Sequence, residues 1–299
     1  MKYRRFETTD RMPVYQMFRD TIRDYMLQQG MLGANEDQNL DAYFEQQKTQ
    51  YIHLEKHACE DWIAEDENEK IVGWARSLER DGHLQLTHFF VSTTTQGGGV
   101  GRELLNRAFP LGRGHQRSIL ATINPRALAL YLQYDVVTLG MAFTFEGRPQ
   151  DRPVDTDLDI IEAERNAETL ASMTQIDHQT LGYRRPEELE LLMSQQPVFL
   201  FYRQDQLAGY AFGYGNHSVG PAASLVPEDM PAILAQIEAS AVAAKADAVE
   251  WVIPAAAEQA VRWALDAGYH IHPFHEVLLA KHPVLKLDRY LITASSFFW

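Results

Sequence analysis

The chain holds a single cysteine, Cys59, in 299 residues. That excludes an internal disulfide and fits a reducing compartment. Without a second thiol or a metal-ligand spacing around it, Cys59 is read as a small, partly buried side chain, and no metal is expected. No run approaches the ~18 uninterrupted apolar residues that a membrane-crossing helix needs, so no membrane partner is expected. The opening residues, Met1-Lys2-Tyr3-Arg4-Arg5-Phe6-Glu7, lack the apolar stretch of a signal peptide, which makes the cytoplasm the expected location. Basic excess is missing as well: 27 Lys and Arg face 41 Asp and Glu, for a net charge of −14. Non-specific nucleic-acid binding depends on basic surface and is disfavoured.

The deficit is uneven. Residues 1–150 carry 17 basic and 20 acidic side chains, residues 151–299 carry 10 and 21. Within the first half, Arg102, Arg107, Arg113, Arg117, Arg126 and Arg148 outnumber Glu103, Asp135 and Glu146 over residues 96–150. Such an island suggests either one local anionic ligand or ordinary solvated helix faces.

With 45% hydrophobic and 23% charged residues the chain has the composition of a globular protein. The first half reads as a strand at Tyr3–Phe6, a helix from Asp10 to about Gln28, and a polar helical stretch to about His57. Strands follow at Trp62–Ala64, Ile71–Ser77 and His83–Val91, then a glycine run and a helix through about Phe109. A strand (Ser118–Ile123), a helix (Pro125–Tyr134) and a strand (Met141–Glu146) close it. Strands first, then strands alternating with helices, predict an α/β fold with a mixed sheet. Residues 147–153, with Pro149 and Pro153, have linker composition.

The second half repeats the first. Ile71-Val72-Gly73-Trp74-Ala75 is echoed by Leu207-Ala208-Gly209-Tyr210-Ala211, and the helix with Ala127 and Leu130 by the one with Ala260 and Trp263. The two offsets agree within three residues, and Phe6-Glu7 resembles Ile161-Glu162. We read a duplication: two tandem related domains, residues 1–150 and 151–299, the first holding an extra segment around Gly30–His57.

The chemistry is carried by Val91-Ser92-Thr93-Thr94-Thr95-Gln96-Gly97-Gly98-Gly99-Val100-Gly101-Arg102, between an apolar strand and an amphipathic helix. Glycines strip away side chains, so backbone N–H groups at a helix N-terminus meet an anion closely. Amide hydrogen bonds to charged oxygens, about 1.5–3 kcal/mol each, outweigh a dipole contribution of about 0.3–1 kcal/mol. A pyrophosphate fits. The P-loop pattern fails because Arg102-Glu103 follows Gly101 instead of Lys-Ser or Lys-Thr. The dinucleotide pattern fails because its sixth position would be Arg102 or Leu104.

What remains, Gln96-x-x-Gly99-x-Gly101 after a strand ending at Val91, resembles the coenzyme A loop of the GNAT superfamily of N-acetyltransferases. Asn124-x-x-Ala127-x-x-Leu130-Tyr131 resembles a later helix of that family, although Asp135-Val136 stands where the family has Gly-Phe. The resemblance covers about residues 1–147. It implies acetyl-CoA as co-substrate and a small-molecule or peptide amine as acceptor. It also implies that the main chain of Phe89, Phe90 and Val91 pairs with the pantetheine arm and that amides of Gln96, Gly97, Gly98, Gly99, Val100 and Gly101 hold the pyrophosphate. Asn124 would line the pantetheine channel, Arg102, Arg126 or a neighbour would meet the 3′-phosphate, and Tyr131 would protonate the leaving thiolate, with Tyr134 as its substitute.

The base is less defined. Strict alternation puts His83, Gln85, Thr87 and Phe89 on one face of their strand, and Leu84, Leu86, His88 and Phe90 on the other. Family members carry a Glu or His near the positions of Gln85 and Thr87, neither of which is a useful base here. His83, a water relay, or an amine arriving neutral stay open, and His88 is expected to point away from the acceptor. Asp37, Asp41, Tyr43 and Glu45 either select a cationic amine or form a solvated helix face, and the second is the more common arrangement. The missing base leaves a non-catalytic acyl-CoA-binding sensor or scaffold as the alternative.

In the second copy the loop position reads Leu225-Val226-Pro227-Glu228-Asp229-Met230-Pro231, which would repel phosphate and remove donors. Ala257 stands where the first copy has Asn124, and Ala264 where it has Tyr131. This copy is expected to be a degenerate GNAT-like domain. The aromatic tail Ser295-Ser296-Phe297-Phe298-Trp299 is expected to pack against the body. A monomer or a homodimer fits equally.

Overall fold

A computed structural model describes residues 1–31, 40–95, 97–215, 218–282 and 285–293, with the backbone alone at residues 40–44, 46 and 47. The chain divides into two compact units, Met1–Leu120 with Asn124–Val137 and Ala121–Ile123 with Thr138–Trp299. Among the described residues no helix is long and apolar enough to cross a membrane.

The elements up to residue 131 run β1 (Lys2–Arg5), α1 (Arg11–Gln28), α2 (Leu40–His57), β2 (Glu60–Glu65), β3 (Ile71–Arg80), β4 (His83–Val91), α3 (Val100–Ala108), β5 (Gln116–Thr122) and α4 (Pro125–Tyr131). The strands lie in the order β1-β2-β3-β4-β5, antiparallel up to β4 and parallel between β4 and β5. This is the mixed sheet read from the sequence. Helix α3 covers one face, setting Val100, Leu104 and Ala108 on Ala64, Val72 and Ala75. Close approach requires Gly73, where a Cβ would stand 2.8 Å from Leu104 Cδ1. The opposite face is an aromatic layer: the ring centroid of Phe18 on α1 is 4.6 Å from that of Phe90, and Tyr51 on α2 is 5.5 Å from His88.

One expectation about β4 is corrected. The ladder pairs Ser77 with Leu86 but Arg76 with His88, so Thr87 is an extra, bulged residue. A bulge breaks strict alternation. Residues directly opposite share a face, so His88 follows Arg76, Phe90 follows Trp74 and Gln85 follows Leu78. His88 and Gln85 therefore lie on the face covered by α1 and α2, and Phe89 lies on the α3 face with Leu86.

The chain continues with β6 (Val137–Gly147), β7 (Asp159–Glu162), α5 (Ala167–Thr180), α6 (Pro186–Gln195), β8 (Val198–Arg203), β9 (Gln206–Phe212), β10 (Ala222–Ser224), α7 (Met230–Ala243), β11 (Val249–Pro254), α8 (Glu258–Asp266), β12 (His270–Ala280) and β13 (Tyr290–Leu291). From β7 to β12 the element types repeat the order from β1 to β6. Strand β6, read from sequence as the last strand of the first copy, pairs antiparallel with β11, from Gly147↔Val249 to Ala142↔Pro254. The two compact units part within residues 120–138. The stretch read as a linker is fastened: Gln150 N and Arg152 Nε reach the buried carboxylate of Glu238 on α7, which also accepts from the Tyr269 hydroxyl at 2.5 Å. The tail Ser295–Trp299 lies outside the described residues.

The second unit holds a fully buried charged network. Arg185 Nε donates to Asp177 Oδ2 at 2.7 Å, a second guanidinium nitrogen lies 2.6 Å from the Tyr290 hydroxyl, and the Tyr210 hydroxyl donates to Asp177 Oδ1 at 2.6 Å. Removing one partner of a buried pair strands the other charge. Asp177→Ala is expected to lower unfolding free energy by about 3–5 kcal/mol in denaturant titrations. A loss under about 1 kcal/mol would mean that the network adds little.

Candidate active site

The site is assembled from a strand edge and a helix terminus. Strand β4 pairs with β5 only from His83↔Gln116 to Leu86↔Ile119, yet it runs on to Val91. Beyond Leu86 no described strand pairs with the edge of β4 turned away from β3. Unpaired N–H and C=O groups on such an edge accept an added peptide-like chain.

The second set of free groups begins where β4 ends. Gly99 is the N-cap of α3, with φ +81°, in the left-handed region that favours glycine, and it offers no side-chain cap. The first intrahelical bond runs from Glu103 N to Gly99 O, which leaves the earlier amides of the turn, at Val100, Gly101 and Arg102, without helical acceptors. Gly97, Gly98 and Gly99 are exposed and Val100 is buried beneath them. Gly101 is required by closeness: a Cβ there would meet the Phe89 ring at 3.0 Å and Leu130 at 3.4 Å. Loop, β4 and α4 are thereby drawn together around Phe89. Gln96 lies outside the described residues.

Tyr131, at the end of α4, is 4% exposed, and its ring stands edge-on to Phe89 with centroids 5.5 Å apart. Its hydroxyl makes no hydrogen bond to a described residue, and burial pushes its pKa up, which keeps it protonated. Tyr134 is committed elsewhere: its hydroxyl lies 2.7 Å from Asn106 Oδ1 and 3.0 Å from the Arg102 carbonyl. Asn124 caps α4, its Oδ1 accepting from Arg126 N and Ala127 N at 3.0 and 3.2 Å. Only its amide nitrogen is left to donate. Cys59 donates to the Ser77 carbonyl at 3.2 Å and burial pushes its pKa up to about 11, so no thiolate is offered.

His83 is not brought to this place. It opens β4, six residues from Phe89 and so about 20 Å away along a strand. It is buried, with Nε2 2.6 Å from Ser118 Oγ. The basic island also resolves largely into structure. Arg117 donates to the carbonyls of Phe109, Pro110 and Arg113, Arg113 pairs with Glu60 and Glu79, and Arg107 pairs with Glu103. Arg102, held by Gln133 at 2.9 Å, and Arg126 remain at the surface beside the loop. Asp37 lies outside the described residues, as do the side chains of Asp41 and Tyr43; Glu45 is exposed and paired with Lys48.

Sequence reasoning missed His88. A ladder slip at Thr87 leaves no mark in a single sequence, and only the register shows which face His88 takes. Burial, with the nearby Arg76 charge second, holds its pKa well below the usual histidine range.

The second unit fills the corresponding positions from within. Strand β13 pairs antiparallel with β10 (Ala222↔Leu291, Ala223↔Tyr290), and Ile292 bridges to Val252 on β11 with a 3.1 Å N–H···O bond. Tyr290, Leu291 and Ile292 are all buried. Where the glycine loop would stand, Asp229 precedes α7, 4% exposed, its carboxylate 2.7 Å from Arg203. Ala257 takes the N-cap of α8, as Asn124 does on α4, and Ala264 is buried at the seventh position of its helix, as Tyr131 is.

Residues 16–134 match the family model described as the acetyltransferase (GNAT) family. No curated protein matches the chain in sequence. Among solved structures, a protein from Pyrococcus horikoshii provisionally assigned as an acetyltransferase superposes with a TM-score of 0.73 at 16% identity, covering 99% of this chain and 95% of that one. A GCN5-related N-acetyltransferase from Sphaerobacter thermophilus gives 0.61 at 13% identity, with 94% and 95% covered. A tandem GNAT protein from the clavulanic acid biosynthesis pathway gives 0.52 at 12% identity, with 93% and 97% covered. At these identities the likeness is one of fold, and it spans nearly the whole chain. Residues 16–134 thus match the GNAT acetyltransferase family model, within a chain whose fold is similar to GNAT structures over almost its entire length.

Proposed function

We propose that the chain transfers an acetyl group from acetyl-CoA to a primary amine of a small molecule or peptide, by direct attack through a tetrahedral intermediate. One observation carries this reading: a β4 edge that no described strand covers beyond Leu86 is followed, eight residues after β4 ends, by Gly99 and the first turn of α3, whose amides lack helical acceptors. An extended, amide-bearing arm and a diphosphate at its end are what those two sets of groups suit. In this reading the main chain of Phe89, Phe90 and Val91 takes the pantetheine arm, and amides from Gln96 to Gly101 take the pyrophosphate. Arg102 is at hand for a phosphate, and Asn124 has one amide nitrogen for the channel.

Acyl transfer needs a neutral amine, a stabilised oxyanion and a protonated leaving thiolate. Tyr131 supplies the proton: it is buried beside Phe89, its proton is retained at neutral pH, and no other group competes for it. Tyr134, bound to Asn106, does not replace it. No carboxylate is assigned as base, so the amine arrives neutral or loses its proton through water, and the rate rises with pH until the acceptor is deprotonated. His83 has no part in this scheme.

We read the second unit as degenerate toward acyl-CoA. β13 occupies the edge of β10, and the Asp229 carboxylate stands before α7 where a phosphate would need donors. Both features support one cofactor site per chain.

Tyr131→Phe is expected to reduce kcat by about 10²-fold while leaving the acetyl-CoA Kd within about threefold, because the acid acts in the transition state. Full turnover in that variant, across pH, would remove the assignment. Calorimetry with acetyl-CoA is expected to give one site per chain; two equivalents would contradict the degenerate reading. Tight binding with no turnover over a broad amine panel would favour a sensor in place of an enzyme.

A further inference from the structure

The bulge in β4 falls where β5 also stops. Thr87 has no ladder partner on β3, and the pairing with β5 ends one residue earlier, at Leu86. A residue freed on both sides needs another means of being fixed.

Its side chain supplies one. Thr87 Oγ1 lies 3.1 Å from the Arg76 carbonyl and 3.1 Å from His88 Nδ1. A carbonyl only accepts, so the single hydroxyl proton of Thr87 goes to Arg76. What Thr87 offers His88 is a lone pair, and His88 must donate to it through Nδ1–H. Both contacts are hydrogen bonds at once only when Nδ1 carries a proton. The ring is clamped in that orientation, stacked on Trp74 with centroids 4.2 Å apart and 5.5 Å from Tyr51. His88 is 1% exposed and Arg76 2%. Trp74 and Arg76 are themselves held by Asp61, which accepts from Trp74 Nε1 at 2.9 Å and Arg76 Nε at 2.7 Å.

We propose that His88 is a positioning residue: its Nδ1–H, donated to Thr87, locks the β4 bulge and so fixes the adjoining main-chain N–H groups, one of which would polarise the acyl carbonyl of a thioester laid along this strand. The inference rests on the reading of the β4 edge as the acyl-CoA site. It assigns His88 a role in which its proton is fixed, in contrast to a base, whose proton must come and go.

The conservative pairs are informative. Thr87→Val keeps the shape and loses the hydroxyl, and Thr87→Ser keeps both bonds. His88→Asn sets an amide nitrogen near the place of Nδ1 without a titrating group, and His88→Leu removes the donor. Oxyanion donors are worth about 10²–10³ in rate, and a shift of about 1 Å can cost 10²-fold. On that scale Thr87→Val and His88→Leu are expected to lower kcat about 100-fold, with Thr87→Ser and His88→Asn within about fivefold of the parent. The acetyl-CoA Kd, read by calorimetry, is expected to weaken by no more than about tenfold in all four, far less than kcat falls in Thr87→Val and His88→Leu, since the pyrophosphate amides are untouched even where the strand that takes the arm loosens. In parallel, imidazole ¹⁵N spectra of the intact protein at neutral pH are expected to show His88 protonated at Nδ1, with that preference lost in Thr87→Val.

A wild-type His88 carrying its proton on Nε2 would overturn the proposal, whatever the variants do. So would Thr87→Val turning over at the parent rate, or His88→Asn falling as far as His88→Leu, which would point to a titrating role. Failure of the wild-type chain to bind acetyl-CoA would instead overturn the reading of the site, and the ¹⁵N spectra would still decide whether the lock exists.

Discussion

Backbone hydrogen bonds left open are the constraint around which the first unit is arranged. A folded chain pairs nearly all of its buried peptide groups, and each one abandoned away from water costs about 1–3 kcal/mol. Two such places follow one another in the chain: the β4 edge after Leu86, which no described strand covers, and the first turn of α3 after Gly99. Groups facing solvent are hydrated and cheap to leave open, but they stay available. Their succession in the chain, strand edge and then helix terminus, is what makes a long amide-containing ligand ending in a diphosphate a better match than a lone anion.

The second unit shows the same element order with those positions closed. β13 adds two residue pairs to β10, Ile292 ties the strand to β11, and Tyr290 is anchored by the guanidinium of Arg185. The same chain position diverges in chemistry between the copies. Trp74 stacks on His88, where its counterpart by sequence offset, Tyr210, turns its hydroxyl to Asp177. Indole and phenol both fill an aromatic layer, but only the phenol gives an acceptor and donor to a buried ion network.

Much of this was legible in the sequence, for identifiable reasons. Glycine at 99 and 101 reports backbone needs directly, a left-handed cap and a 3.0 Å approach to Phe89, so residue type and conformation coincide. Strand β4 was read with its observed limits, because apolar residues bounded by turn signals fix it locally. The fold class followed from the order of elements. The parity of β4 was not legible, since a bulge is a property of two strands in register and Thr87 is unremarkable in either state. The partner of β6 was hidden for the same reason: pairing of Ala142–Gly147 with residues 249–254 is a long-range choice that local composition does not encode. Charge misled differently. Arg107, Arg113 and Arg117 counted toward a ligand island, yet they serve carboxylates and carbonyls within the fold.

His88 joins these strands of reasoning. A histidine on a sheet beside a reaction site invites a base role, and its lowered pKa would supply the neutral form such a role needs. Hydrogen-bond arithmetic argues otherwise. The hydroxyl between Arg76 and His88 has one proton, the carbonyl takes it, and Nδ1–H is then committed. Cycling through a cation would place a charge between Trp74 and Tyr51, 1% exposed and close to the Arg76 guanidinium, where burial and like charge both oppose it. The features that keep the ring neutral are thus the ones that make it a poor proton carrier and a good fixed donor.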